Sequence, residues 1–226
     1  HVPLHLQQSG RQLLVVSPGA GRSSRRSASG ALESPVVSAF PFPWLLGTTV
    51  RWFWIDRFTA FQHGQSAEAV KTVTVNADYV DGYFPNYPVL SPVFVLEGFA
   101  QMGGLLISEV TEFRSNFVLA KVSRCQIADY GRPGDQLIYR VEVESQQSDG
   151  GFVRATCHQA DRRLVEAELT FAQVSRAMID HDFFEPVGLL RMLRVYRLYD
   201  VGLDDQGRPL RVPEHLLAAE RASLGS

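Results

Sequence analysis

The sequence predicts an α+β fold in which an antiparallel sheet wraps around one long buried helix. Three observations predict it. The stretch Val93 to Val110 reads VFVLEGFAQMGGLLISEV; it is apolar on nearly every side, and a helix apolar all round is a buried one. Strand-like runs lie on both sides of it, two before and four after. The later runs are joined mostly by short turns, which marks an antiparallel meander and excludes a parallel α/β sheet with helical crossovers.

The elements follow in order. Residues 1–45, rich in Ser, Gly, Ala and Arg around SPGAGRSSRRSASG, show no period of 2 or 3.6 and read as a disordered N-terminal segment. Residues 46–174 read as the folded domain and 175–226 as a helical extension. WFWIDRFTAF from Trp52 is dense in aromatic and branched residues and reads as a strand. Gln62 to Glu68 reads as a polar turn, and Ala69 to Asn76 as a second strand with Lys71, Val73 and Val75 on one side. A loop with Pro85 and Pro88 leads to the helix, where Ser91 is a good N-cap and Pro92 suits the first helical position. Gly98, Gly103 and Gly104 weaken the helix but let other groups approach it closely.

Asn116 to Ile127, then the turn GRPGD at Gly131 to Asp135, precede Gln136 to Ser145. There Leu137, Tyr139, Val141 and Val143 alternate against polar neighbours, as in a half-buried antiparallel strand. Two further strands, Phe152 to Ala160 and Leu164 to Phe171, complete the meander. Such a sheet covers the helix from one side only, so a dimer at least is expected. In the extension, PVGLLRMLRVYRLYDVG reads as an amphipathic helix with Leu190, Leu193, Tyr196 and Leu198 inward and Arg191, Arg194 and Arg197 outward. Pro213 to Ala222 reads as a short terminal helix.

Composition narrows the function. A net charge of −2 over 226 residues argues against a nucleic-acid binder, which shows a basic face. Two cysteines, Cys125 and Cys157, exclude a disulfide framework and point to a reducing compartment. The aromatic stretch Phe40 to Ile55 is broken by Pro41, Pro43, Gly47 and Arg51, short of a membrane span. The expectation is a cytoplasmic protein.

The stretch NADYVDGYFPNYPVLSPVFVLEGFAQ, Asn76 to Gln101, resembles the FabZ/FabA family of 3-hydroxyacyl-[acyl-carrier-protein] dehydratases, which have the hot-dog fold. Asn76, Gly82, Phe84, Pro85, Pro88, Val93, Glu97, Ala100 and Gln101 match the family pattern without insertion or deletion. WIDR at Trp54 to Arg57, PGDQL at Pro133 to Leu137 and DRRLVEAELTF at Asp161 to Phe171 extend the resemblance over Trp52 to Phe171.

The resemblance implies removal of water from a 3-hydroxyacyl thioester carried by acyl carrier protein or CoA, with no cofactor or metal. In the family a His takes the α-proton, a carboxyl on the central helix handles the leaving hydroxyl, and a backbone N–H at the helix start polarises the thioester carbonyl. Glu97 stands at the carboxyl position, inside an apolar run where an unpaired carboxylate is costly. Tyr83 stands where the family has His. Tyrosine has a reference pKa of about 10, so populating phenolate at pH 7 costs roughly 4 kcal/mol; Tyr83 reads as a hydrogen-bond donor rather than a base. Pro92 stands where the family's Gly donates its N–H, and proline has none. The next amide, Val93, is the substitute donor, with Gly82, Phe84 and Pro85 forming the substrate loop; capping by Ser91 and Pro92 explains the helix start without catalysis. Asn86 replaces a family Gly. Three readings stay open: a dehydratase working through Glu97 and Tyr83, a non-catalytic acyl-binding or partner subunit, and a hot-dog thioesterase using Glu97.

Overall fold

The structure, a computed structural model, describes residues 53–75, 77, 80, 87–174 and 185–225. Its elements are β1 (Arg57–Gln62), β2 (Ser66–Thr72), α1 (Pro92–Glu109), β3 (Asn116–Ile127), β4 (Gln136–Gln147), β5 (Gly150–Gln159), β6 (Arg162–Val174), α2 (Pro186–Val195), α3 (Leu198–Val201), β7 (Gly202–Leu203) and α4 (Glu214–Leu224). The strands form one sheet in the order β3-β6-β5-β4-β2-β1-β7. Every pairing is antiparallel except that of β7 with β1. This is the hot-dog arrangement, a sheet curled around α1. The expected disordered segment, residues 1–45, lies outside the described residues.

Alternation along the strands builds the core. Leu137, Tyr139 and Val141 of β4, Val153, Ala155 and Cys157 of β5, and Ala167, Leu169 and Phe171 of β6 are buried, together with Phe99, Met102 and Leu106 of α1. Two helix glycines allow this contact. A Cβ at Gly98 would lie 2.5 Å from the Tyr139 ring, and one at Gly103 would lie 2.8 Å from the Phe171 ring. In a core packed as densely as an organic crystal, no side chain fits there.

The first two strands differ from expectation. The strand begins at Arg57, not Trp52, because Asp56 turns aside to accept from Lys71 Nζ (3.0 Å) and from the Thr72 N–H (2.7 Å). The polar turn shrinks to His63–Gln65, with Gly64 at φ 58°, so β2 starts at Ser66. It stops at Thr72 rather than Asn76, because the Val73 N–H donates to the Asp135 carbonyl and the Val73 carbonyl accepts from Gly134 N–H, both at 2.9 Å. The GRPGD turn thereby seizes the end of β2. It also receives the chain before α1, where Leu90 N–H donates to the Gly131 carbonyl at 2.8 Å.

The stretch PVGLLRMLRVYRLYDVG, expected as one amphipathic helix, folds as two, α2 and α3, with a break between them, and the expected terminal helix is α4. Glu185 caps α2, its carboxylate accepting from Val187 N–H (3.0 Å) and Gly188 N–H (2.7 Å). The helix ends at Tyr196, and Arg197 takes a left-handed conformation at φ 57°. That break frees the Tyr196 carbonyl to accept from Phe58 N–H of β1 at 2.8 Å. Leu190, Leu193, Tyr196 and Leu198 are fully buried, as their spacing predicts. Arg194 pairs with Glu220, tying α2 to α4. No helix among the described residues is long and apolar enough to cross a membrane.

Candidate functional site

Glu97 sits in the second turn of α1. It is half-buried rather than sunk in the apolar run, and it has a partner. Gln101, one helical turn on and therefore on the same face, donates from Nε2 to Glu97 Oε1 at 3.2 Å. The carbonyl oxygen of Gln101 accepts from Trp54 N–H at 3.2 Å and from the Tyr196 hydroxyl at 2.8 Å. A carboxyl, an amide and a phenol thus form one chain of hydrogen bonds. The Trp54 ring stacks on Phe94 beside them, centroids 4.1 Å apart and planes 7° from parallel.

The helix start is capped. The Ser91 side chain is buried, and its hydroxyl accepts from Val93 N–H at 3.4 Å. Phe94 N–H donates to the Ser91 carbonyl at 3.0 Å. Pro92 occupies the first helical position and has no N–H to give. The Val93 bond is long for an N–H···O contact, so the cap holds this amide only weakly.

Of the residues singled out from the sequence, the structure places Glu97, Pro92 and Val93 along the N-terminal half of α1. Gly82, Tyr83, Phe84 and Pro85 lie outside the described residues. His63 pairs with Glu109, Nδ1 to Oε2 at 2.5 Å, at the other end of the helix. Glu97 and Glu109 are about 18 Å apart along the axis at about 1.5 Å per residue. Burial raises the Glu109 carboxyl above the usual range; His63 opposes this, and Asp205 and Glu112 add to it. A cavity of about 470 Å³ opens there, lined by His63, Gln65, Thr111, Phe117, Gln146 and Asp205 among others, well away from Glu97. Among the described residues no three His, Cys, Asp or Glu side chains are arranged to hold a metal ion.

The FabA-like domain family model matches residues 51–168, more than half of the chain and the whole span from before Trp54 to β6. The chain belongs to this family. The 3-hydroxyacyl-[acyl-carrier-protein] dehydratase FabZ of Halalkalibacterium halodurans is 34% identical over 119 residues, covering 52% of this chain and 85% of that protein. The FabZ of Bacillus subtilis is 34% identical over 120 residues, covering 52% and 84%. Among solved structures, the dehydratase heterocomplex ApeI:P from Xenorhabdus doucetiae is similar with a TM-score of 0.49 and 13% identity, over 65% of this chain and 92% of that one. The acetyl-CoA-bound smu.793 protein from Streptococcus mutans is similar with a TM-score of 0.44 and 15% identity, over 53% and 88%.

Gln101 is a motif residue four positions after Glu97, a spacing that already puts it within reach. Tyr196 was read only as a buried position of the extension. Nothing local links it to Gln101, 95 residues earlier. The same holds for the His63–Glu109 pair, 46 residues apart.

Proposed function

We propose that this FabA-like chain acts on 3-hydroxyacyl and 2-enoyl thioesters, carried by acyl carrier protein or CoA in the cytoplasm, as a hydro-lyase centred on Glu97. The supporting observation is Glu97 itself: it stands at the family's carboxyl position on the central helix, half-exposed and held by Gln101 at 3.2 Å. With Tyr83 at the His position, the scheme runs through one carboxyl. Glu97 as carboxylate takes the α-proton, the Cα–Cβ double bond forms as the C–O bond breaks, and the same carboxyl returns that proton to the leaving hydroxyl, which departs as water. A carboxyl that both takes and gives a proton suffices for this general acid–base exchange. Tyr83 serves as a hydrogen-bond donor, and Val93 N–H, at a helix N-terminus and held by Ser91 only at 3.4 Å, is the amide that turns to the negative charge developing on the thioester oxygen.

The test is dehydration of a 3-hydroxyacyl thioester, followed by 2-enoyl absorbance. Glu97→Gln is expected to lower kcat by about 10²–10⁴. Pro92 lacks an N–H and Val93 N–H leans toward Ser91, which favours a second reading: an acyl-binding subunit that pairs with an active homologue. A wild-type rate no faster than that of Glu97→Gln, with retained acyl binding, replaces the first reading by the second. Release of free thiol from an acyl thioester, lost in the same variant, makes the protein a thioesterase instead.

A further inference from the structure

The matched family region ends at residue 168, yet a side chain from beyond it reaches the candidate site. The direction of each hydrogen bond fixes how. A side-chain amide has two ends that differ in hydrogen-bonding sense, and its orientation is set by its partners. Trp54 N–H only donates, so the Gln101 atom facing it is the carbonyl oxygen. Tyr196 donates to the same oxygen over the shorter distance, 2.8 Å against 3.2 Å. The NH₂ end of Gln101 is then left to face Glu97. A flip of the amide would set two oxygens against each other at Glu97 and two N–H groups against each other at Trp54.

Tyr196 is built to hold this orientation. It is fully buried, with its ring edge-on to Phe53 (5.2 Å) and Phe58 (5.9 Å). Its backbone N–H donates to the Met192 carbonyl, and its own carbonyl accepts from Phe58 N–H. Burial pushes the phenol above its ordinary range, so the hydroxyl keeps its proton and remains a donor.

We propose that Tyr196 is a positioning residue for Glu97, acting through Gln101, so that the segment after the family domain is part of the site. The role in catalysis rests on the reading of Glu97 as the reacting carboxyl; the orientation of Gln101 does not.

The experiment uses the full chain and Tyr196→Phe, which keeps the ring and removes the hydroxyl. The side-chain amide protons of Gln101, assigned by NMR, are expected to shift and to lose intensity in their contact to the Glu97 side chain. On a 3-hydroxyacyl thioester, kcat is expected to fall about five- to tenfold, as for one lost hydrogen bond, with KM within about twofold. In a Gln101→Ala background the same substitution is expected to cost less than about twofold, because coupled residues do not add. Unchanged Gln101 amide signals in the folded variant, or an equal loss of kcat in both backgrounds, overturns the proposal. A wild-type chain with no dehydratase activity removes the reaction reading, and the amide spectrum then decides by itself whether Tyr196 orients Gln101.

Discussion

Glu97 and Gly98 are neighbours in sequence with opposite duties. Glu97 faces the open side of the helix and takes its hydrogen bond from Gln101, while Gly98 is pressed against the Tyr139 ring. The two requirements are linked, because the close approach at Gly98 sets how far α1 sits from β4 and so where Glu97 stands. Gly98→Ala is expected to destabilise the protein by about 1–3 kcal/mol, as overpacking of a rigid core does. At Gly104 a Cβ would meet Phe171 at an ordinary 3.6 Å. Gly104→Ala is therefore expected to be neutral or to add up to about 1 kcal/mol through helix propensity. Denaturant melts of the two variants check the contrast; equal effects would show that the fit at Gly98 is looser than the structure has it.

The central helix is fixed at its ends by different chemistry. At the start, Ser91 and Pro92 supply a cap and a residue with no N–H to satisfy, and both were legible because capping is local. At the end, Glu109 meets His63 from the β1–β2 turn, a contact that no spacing announces. Burial raises the Glu109 carboxyl above its ordinary value of about 4.3. The folded state therefore holds this proton more tightly than the unfolded chain. The associated stability is fully present below the ordinary value and is lost as pH rises through the raised one. Glutamine does not titrate, so Glu109→Gln is expected to gain in Tm relative to wild type between pH 4 and pH 7. A relative loss over that range would show that the His63 ion pair outweighs burial.

Across the whole molecule, the sheet ends differently on its two sides. At one edge, the extension covers β1 through β7 and the Tyr196 carbonyl. At the other edge, β3 pairs among the described residues only with β6 and leaves Leu119, Val122 and Ile127 exposed at 38%, 37% and 51%. A long edge with apolar side chains is a template for pairing with another chain. We propose that β3 pairs with a second copy, giving a homodimer. Light scattering is expected to report twice the chain mass, and Val122→Lys to shift the population toward monomer. A wild type that runs as a monomer at every concentration would remove the dimer from the scheme.

The family resemblance of Asn76 to Gln101 singled out Glu97 as the candidate carboxyl. The sequence alone determined the central helix, its cap, the meander that wraps it and the inward positions of the extension. Each of these depends on neighbours within one element or one turn, where periodicity of 2 or 3.6 and the spacing of apolar residues carry the information. The tertiary structure decided where β1 and β2 begin and end, because the Asp56 carboxylate accepts from Lys71 and Thr72 and Val73 exchanges hydrogen bonds with the GRPGD turn. It decided the break at Tyr196, where a helix carbonyl serves β1 instead of its own helix. It also decided that Glu97 has Gln101 for company and that Gln101 answers to Trp54 and Tyr196. Those partners are brought together only when the helix, the first strand and the extension pack into one core, and residues that distant in the chain leave no periodic trace of their meeting.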